Sequence, residues 1–324
     1  MTSPNPAAPD LAAELAPDNP DAPQWFLDVM ATPRREGTID SSGCPIHFFS
    51  WGDPQKPGLL LTHGFVAHAR CFAFIAPFLA DDYFVVAYDH SGMGDSGARD
   101  GYADEVRLQE ILDVATGTGL FDNGKKPTII AHSYGGNSGL LAMENAADKF
   151  AGLIICDLMT LRPERLVAHG EAREEKGGAP TIRPNRVYPD YEAAKARFVL
   201  SPPQPVNEPY LFDYMAFHSM KQVEGGWSWK FDPGVFAPTG DMHERLLRQG
   251  RRIATAPGKL AIVYGTESAL FDDDSAEYVR ECGGDHIPMI GIPHARHHLM
   301  LDQPVAFASV LRTLLLTWVA PGTG

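Results

Sequence analysis

Cysteine is scarce in this chain of 324 residues, and its cationic side chains are outnumbered by acidic ones. The four cysteines lie far apart and form no C-x-x-C pair, which argues against a disulfide framework and favours a reducing compartment. Lys and Arg number 27 against 41 Asp and Glu, and the resulting net charge of −14 argues against nucleic-acid and anionic-membrane partners. No stretch approaches the roughly 18 to 20 apolar residues of a membrane span. We therefore expect a soluble, cytoplasmic protein.

The N-terminal segment also lacks the features of a signal peptide, since it has neither a basic start nor an apolar centre. It is rich in Pro, Ala and Asp, a composition that buries little apolar surface. The sequence therefore predicts a disordered tail over residues 1–23.

Two parts of the chain, residues 24–158 and 258–324, alternate short apolar runs with helical patterns. This rhythm predicts an α/β fold with a mostly parallel central sheet and helices on both faces. Two strands around the turn "DSSG" (40–43) are expected to pair antiparallel at one edge. A helix is predicted over "ARCFAFIAPFLAD" (69–81).

Residues 159–257 interrupt this rhythm with helical patches, prolines and aromatics, and they carry no strand signal. We predict a helical insertion. Most of its aromatic side chains are expected to form its own small core, and a few to face a substrate. The candidates for the substrate pocket are Tyr210, Tyr214, His218 and Trp227.

Ser133 follows an apolar run and precedes two glycines in "IIAHSYGG" (129–136). The pattern predicts a sharp turn from a strand to a helix, which places the serine at the carboxyl edge of the sheet, where open parallel sheets bind ligands. A serine hydroxyl is a poor nucleophile unless a base takes its proton. A catalytic Ser133 therefore requires a histidine, an acid to orient it and donors for an oxyanion.

Several segments together resemble the α/β-hydrolase family. "AHSYGG" (131–136) is similar to the family's nucleophile elbow, G-x-S-x-G, with Ala131 in place of the first glycine. Three further segments resemble its oxyanion loop, its glycine-rich loop and its histidine segment: "THGF" (62–65), "DHSGMGDSG" (89–97) and "PHARHHLMLDQPVAF" (293–307). The resemblance covers about residues 40–160 and 258–320.

The resemblance implies an α/β-hydrolase fold in which the insertion is a helical cap. It implies that Ser133 is the nucleophile and that the backbone N–H groups of Phe65 and Tyr134 form the oxyanion hole. His63 is expected to brace the oxyanion loop by hydrogen bonding, and His132 to be structural.

The catalytic histidine of the family precedes an acidic residue by five positions and a proline by seven. Counting back from Asp302 and Pro304 gives His297 as the base. His298 is the alternative, because a slip of one residue would exchange the two. His294 lies too early and is expected to be structural.

The acid has two candidate locations. The commonest family position, a G-x-x-D after the next-to-last core strand, is occupied here by Ser268, which leaves Glu267 and Asp272 as neighbouring alternatives. Asp157 ends the strand after the nucleophile's helix, and some branches of the family take their acid from that strand. We favour Asp157, and we expect the acidic run from Asp272 to cap a helix.

The expected function is hydrolysis of a small, largely apolar carboxylic ester, lactone or thioester through an acyl-enzyme on Ser133. The alternatives are a C–C bond hydrolase of a diketone-like ring-cleavage product, a cofactor-free oxygenase or perhydrolase, and a non-catalytic ligand receptor. A serine at the elbow argues against haloalkane dehalogenases and epoxide hydrolases, which use Asp there. We expect no cofactor and no metal, because "HARHH" (294–298) is accompanied by no cysteine or carboxylate cluster. The sequence leaves the oligomeric state open, a homodimer included.

Overall fold

The computed structural model describes residues 7–15, 22–175, 182–237 and 242–318. The strands found there are β1 (Arg35–Ser41), β2 (Cys44–Trp51), β3 (Gly58–Thr62), β4 (Phe84–Tyr88), β5 (Thr128–His132), β6 (Gly152–Cys156), β7 (Met220–Val223), β8 (Gly226–Trp229), β9 (Leu260–Gly265) and β10 (Met289–Ile292).

Eight of these strands form one sheet in the order β1-β2-β4-β3-β5-β6-β9-β10. β2 runs antiparallel to both of its neighbours, and the remaining pairs are parallel. The central strands β3, β4, β5, β6 and β9 are buried along their whole length, as expected where helices cover both faces of a parallel sheet. This confirms the predicted mostly parallel sheet with an antiparallel edge.

The helices found in the described residues are α1 (Leu11–Glu14), α2 (Gln24–Met30), α3 (Pro77–Ala80), α4 (Asp104–Gly117), α5 (Tyr134–Ala146), α6 (Pro163–Glu175), α7 (Tyr191–Lys195), α8 (Pro209–His218), α9 (Met242–Leu247), α10 (Gln249–Thr255), α11 (Asp273–Val279), α12 (Leu299–Asp302) and α13 (Pro304–Trp318). None of them is long and apolar enough to cross a membrane.

Two apolar clusters hold the helices to the sheet, one on each face. Phe26 of α2 and Leu311 of α13 belong to the first cluster, whereas Ile111 of α4 and Leu140 of α5 belong to the second. All four side chains are fully buried. Burying a side chain of this kind stabilises the fold by about 1.5 to 3 kcal/mol, so the two clusters fix the sheet edge on which the candidate site is built.

The continuous helix predicted over 69–81 is wrong. A short 3-10 turn over Ala69–Phe72 is followed by turns and then by α3, which has Pro77 as its first residue. Proline lacks an N–H and is disfavoured inside a helix, so the apolar spacing of this segment does not produce one continuous helix.

The prediction that the segment between β6 and β9 is wholly helical is wrong. The segment contains α6 to α10 and also an antiparallel hairpin of β7 and β8. The hairpin turns at Gly225 and Gly226, which have φ angles of 85° and 143°. A Cβ atom at Gly226 would lie 1.9 Å from the carbonyl oxygen of Tyr188, so this close approach requires glycine.

The prediction of a disordered tail over residues 1–23 is wrong for residues 7–15; residues 1–6 and 16–21 lie outside the described residues. The carboxylate of Glu14, at the end of α1, accepts hydrogen bonds at 2.6 Å from Arg34 and Arg70. Its backbone oxygen accepts from Nε2 of His218 at 2.8 Å. Two cations of the core and one residue of α8 therefore hold this segment in place.

Candidate active site

Ser133 lies at the turn between β5 and α5 in a backbone conformation that L-residues rarely adopt, with φ 51° and ψ −121°. Small neighbours make the turn sterically accessible. A Cβ at Gly135 would come within 2.7 Å of the carbonyl oxygen of Thr62, which leaves no room for a side chain. The N–H of Ser133 donates to the carbonyl of Cys156 at 2.8 Å and ties the elbow to the neighbouring strand β6.

Asp157 follows the end of β6, also at a positive φ of 53°, and is fully buried. Its Oδ1 lies 2.8 Å from Nδ1 of His297 and accepts from the hydroxyl of Ser268 at 2.6 Å. Its Oδ2 accepts from the N–H of Gly265 at 2.9 Å. Three donors therefore fix the orientation of the carboxylate.

The hydrogen bond to Asp157 determines the tautomer of His297. A ring nitrogen that faces a carboxylate carries the proton, so Nε2 bears the lone pair. Nε2 is buried and has no hydrogen-bond partner among the described residues. The ring packs against that of His132, the residue that precedes Ser133, at a centroid distance of 4.8 Å. Asp157 and His297 thus meet at the sheet edge that bears Ser133.

The two alternative acids lie elsewhere. Glu267 is half-exposed and contacts His294 at 3.3 Å and Arg296 at 3.4 Å. Asp272 accepts from the N–H of Ser275 at 3.0 Å and caps α11, as expected for that acidic run. Sequence reasoning missed the role of Ser268, which stands where the family's acid is expected and donates to Asp157 instead.

His298 and His132 make different contacts from His297. Nε2 of His298 donates to the carbonyl of Pro202 at 3.1 Å, and burial lowers the pKa of His298 to about 3. Nε2 of His132 donates to the backbone carbonyl of His297 at 2.8 Å. His132 therefore supports the segment that carries His297, whereas His298 contacts the insertion.

Of the two expected oxyanion donors, Phe65 lies in the loop after β3, and Tyr134 is the first residue of α5, directly after Ser133. Within the described residues, neither the Phe65 nor the Tyr134 amide donates a hydrogen bond to another group of the protein. Their rings contact each other at a centroid distance of 5.5 Å. His63 donates from Nδ1 to the carbonyl of Gly64 at 2.7 Å and accepts at Nε2 from the N–H of His90 at 3.1 Å. Burial lowers the pKa of His63 to about 3, so the ring stays neutral.

The glycine-rich loop after β4 is organised by buried Asp89. The carboxylate accepts from the N–H groups of Ala69 at 2.6 Å and Asp95 at 2.9 Å, and lies 2.9 Å from Nδ1 of His47. Nε2 of His47 lies 2.9 Å from Glu36. Burial opposes the charged ring, but hydrogen bonds to the two carboxylates raise the pKa of His47 to about 9. This loop is therefore held by a buried cation between two anions.

A second buried ion pair lies beneath Tyr134, and the sequence did not reveal its role. Arg107 of α4 is 1% exposed and donates from Nε to the Tyr134 hydroxyl at 3.0 Å. It also donates to Glu110 at 3.0 Å. Burial alone would raise the pKa of Glu110, but His90 and Arg107 lower it to about 2. The only available signal was a pair of opposite charges at i and i+3 on an otherwise apolar helix face.

Two adjoining cavities lie near the elbow, and the inner one borders His132, the residue before Ser133. The inner one has a volume of about 40 Å³, and the outer one, which shares part of its wall, about 340 Å³. The inner cavity is lined by residues that include Phe65, Cys71, His132, Met215, His298 and Leu301. The outer cavity is lined by residues that include Tyr188, Arg197, Trp229, Phe231 and Phe236.

The four residues that the sequence suggested for the pocket line neither cavity. Tyr210 and Tyr214 pack against Phe26 at centroid distances of 5.2 Å and 5.7 Å. His218 bonds to the backbone of α1, and Trp227 packs on Tyr191. Tyr210, Tyr214 and His218 therefore join the insertion to α2 and α1, and Trp227 packs within the insertion. The apolar pattern did not predict this, because it does not distinguish a core face from a cavity wall.

The sheet order, the elbow and the neighbouring histidine–aspartate pair define an α/β hydrolase. A model of the alpha/beta hydrolase family matches residues 59–310, which is most of the chain. The protein therefore belongs to the alpha/beta hydrolase family and is a hydrolase.

Three individual proteins that resemble this chain share 30% or less of their aligned residues with it. Epoxide hydrolase 3 of Xenopus tropicalis is 30% identical over 101 residues, which are 30% of this chain and 26% of that protein. The thioesterase domain from the curacin biosynthetic pathway is similar in structure, with a TM-score of 0.69 and 22% identity, over 86% of this chain and 99% of that one. A thermophilic esterase from Thermogutta terrifontis has a TM-score of 0.62 and 20% identity, over 87% of this chain and 98% of that one.

Proposed function

We propose that this protein hydrolyses small, largely apolar carboxylic esters through an acyl-enzyme on Ser133. One observation carries the proposal. His297 donates from Nδ1 to buried Asp157 at 2.8 Å, and its Nε2 has no partner in the described part of the chain, at the edge where the strained elbow presents Ser133. This is the arrangement that a general base for a serine hydroxyl requires.

In the proposed mechanism, Nε2 of His297 takes the proton of Ser133 while the serine oxygen attacks the acyl carbonyl. Asp157 keeps the proton of the imidazole on Nδ1 and stabilises the imidazolium that forms. The N–H groups of Phe65 and Tyr134 hold the developing oxyanion, and one such donor lowers the barrier by roughly 3 kcal/mol. His297 then returns its proton to the leaving alcohol. A water molecule, activated by the same nitrogen, releases the acid.

The shape of the cavities supports a small substrate. An inner space of about 40 Å³ accommodates only a short acyl chain, and its wall includes Cys71, Met215 and Leu301. The outer space of about 340 Å³ is lined by aromatic side chains and is roughly the size of a small-molecule site. Lactones and thioesters present the same acyl carbonyl and belong to the same proposal.

The experiment compares wild type with Ser133→Ala. A fluorophosphonate probe is expected to label the wild-type protein at Ser133, identified by peptide mass spectrometry, and not the variant. Turnover of p-nitrophenyl acetate and butyrate is expected to fall by at least three orders of magnitude in Ser133→Ala. Circular dichroism of both proteins controls for folding.

Other outcomes would redirect the assignment. Absence of labelling on folded wild-type protein would overturn the serine mechanism and favour a ligand receptor. Labelling without turnover of any ester, lactone or thioester, together with cleavage of a ring-cleavage diketone, would favour a C–C bond hydrolase.

A further inference from the structure

Three buried histidines lie together at the candidate site. His132, His297 and His298 each place one ring nitrogen within 4.8 Å of those of the other two. The rings of His132 and His297 have a centroid distance of 4.8 Å, and those of His297 and His298 a distance of 5.0 Å. The sequence shows only the last two as neighbours; His132 arrives from a strand 165 positions away.

The hydrogen bonds of the three rings fix their tautomers in a common way. His297 donates from Nδ1 to Asp157 at 2.8 Å, and His132 donates from Nε2 to the carbonyl of His297 at 2.8 Å. His298 donates from Nε2 to the carbonyl of Pro202 at 3.1 Å. Because each proton is committed to a protein oxygen, each ring keeps an unprotonated second nitrogen. A carbonyl or carboxylate behind each imidazole is the arrangement that orients histidines bound to metal ions.

We infer that His132, His297 and His298 form a binding site for a divalent transition-metal ion, with Zn²⁺ as its typical occupant. Neutral imidazole is a preferred ligand of Zn²⁺, which takes three protein ligands and a water in an open tetrahedral site. Zn–N bonds of about 2.0 to 2.1 Å place ligand nitrogens about 3.4 Å apart, so the rings must approach one another by up to about 1.4 Å. His132 and His298 border the inner cavity, which gives them space for this movement.

We expect the bound metal ion to inhibit ester hydrolysis. This expectation rests on the proposed function, in which His297 is the base for Ser133. The lone pair of His297 that binds the metal ion is the one that takes the proton of Ser133. Metal binding and acyl transfer therefore exclude each other. The metal ion is a competitor for the base, not a participant in hydrolysis.

Binding is tested on the Ser133→Ala protein, so that the result does not depend on catalysis. Zn²⁺ affinity is measured by competition with a chromophoric chelator, and Co²⁺ is used as a spectroscopic probe because a tetrahedral site gives visible absorption. We expect one tight site per chain in Ser133→Ala. The added substitutions His298→Gln and His132→Asn should each weaken it at least tenfold. The exposed His286 serves as the matched control, so His286→Asn should change nothing. Mg²⁺ and Ca²⁺, which prefer oxygen ligands, should not compete.

Inhibition is tested separately on the otherwise wild-type protein by the rate of fluorophosphonate labelling with and without Zn²⁺. We expect Zn²⁺ to slow labelling, and His298→Gln to relieve that inhibition in proportion to its weaker binding. Equal Zn²⁺ affinity in Ser133→Ala with and without the His132 and His298 substitutions would overturn the site. Should the serine mechanism fail, labelling would be absent while Zn²⁺ binding persisted, so the two failures are distinguishable.

Discussion

Ser133 and Asp157 directly follow the neighbouring parallel strands β5 and β6, and both have φ angles near 50°. Asp is one of the residues that adopt a positive φ more readily, whereas Ser seldom does. Because each residue follows the last residue of a parallel strand, both lie at the carboxyl edge of the sheet. At Ser133, with φ 51° and ψ −121°, strain of this kind costs of order 1 to 3 kcal/mol and persists only where the surrounding structure enforces it. The enforcing contacts here include the bond from Ser133 N to Cys156 and that from Asp157 N to Val263.

Replacing Asp157 by Asn is expected to lower kcat for p-nitrophenyl acetate by roughly 10³- to 10⁴-fold, because the amide no longer holds the proton of His297 on Nδ1. Steady-state kinetics measures the effect. Asp272→Asn and Glu267→Gln are the matched controls and should stay within a few-fold of wild type. A larger loss in either control than in Asp157→Asn would assign the acid to the loop after β9.

Replacing Ser133 by Gly is expected to stabilise the protein by about 1 kcal/mol relative to Ser133→Ala. Glycine relieves the strain at φ 51°, and its greater freedom in the unfolded chain offsets part of that gain. Urea denaturation of the two variants measures the difference, since both lack the hydroxyl. Equal stability of the two would show that the strain relieved by glycine is no larger than the unfolded-chain entropy that it adds, and would contradict the prediction.

At the scale of elements, α1 is a single helical turn that connects distant parts of the chain. Glu14 places a carboxylate between Arg34 and Arg70, and both guanidinium groups lie within 5 Å of the Phe49 ring. The isolated turn would not be stable in water, because helices this short do not repay their nucleation cost. Its conformation therefore depends on these tertiary contacts.

Substituting Glu14 by Ala is expected to destabilise the protein by about 2 to 4 kcal/mol, because two largely buried cations lose their carboxylate. The free energy of unfolding in urea is the measurement. Asp28→Ala is a suitable comparison, since Asp28 accepts a hydrogen bond from Gln24 on an exposed helix face and its loss should change stability by less than about 0.5 kcal/mol. Similar values for the two variants would show that α1 contributes little.

The elements that the sequence predicted well are those with strong local signals. The buried strands β3 to β6 and β9 are continuous apolar runs bounded by turns, and the long helices α4, α5 and α13 show clear apolar faces. The hairpin of β7 and β8 has strands of only four residues, and its turn is fixed by contact with Tyr188. Likewise, nothing near Ser268 indicates that its hydroxyl donates to Asp157. Contacts between distant segments decide both features.

At the scale of the whole molecule, the sheet brings together groups that are far apart in sequence. Asp157 and His297 are separated by 140 positions, yet their side chains are in contact. The sequence indicated Asp157 by its place after a strand of the parallel sheet, and His297 by its spacing before Asp302 and Pro304, which resembles that of the family. The walls of the two cavities could not be predicted in this way. They depend on how the insertion folds over the carboxyl edge of the sheet, and the four suggested pocket residues line neither cavity.

The stability of the whole fold is expected to depend on pH through His47. Its pKa is raised in the folded state, so its contribution is fully present below about pH 6.5 and is lost as the pH rises through about 9. A shift of this size corresponds to about 3 kcal/mol. Urea denaturation at pH 6 and pH 9.5 should show a smaller loss of stability in His47→Gln than in wild type. Identical losses would show that His47 does not govern this dependence.

The strand β8 and the turn after it lie over the outer cavity and are joined to the glycine-rich loop below them. Lys230 pairs with Asp95 at 2.6 Å, Asp232 donates from its backbone to Gly92 at 2.8 Å, and its carboxylate accepts from the hydroxyl of Tyr102. Efforts to engineer a new substrate range by grafting residues 226–236 from another enzyme would sever all three connections. Such chimaeras should be constructed with residues 89–104 transferred together with the graft.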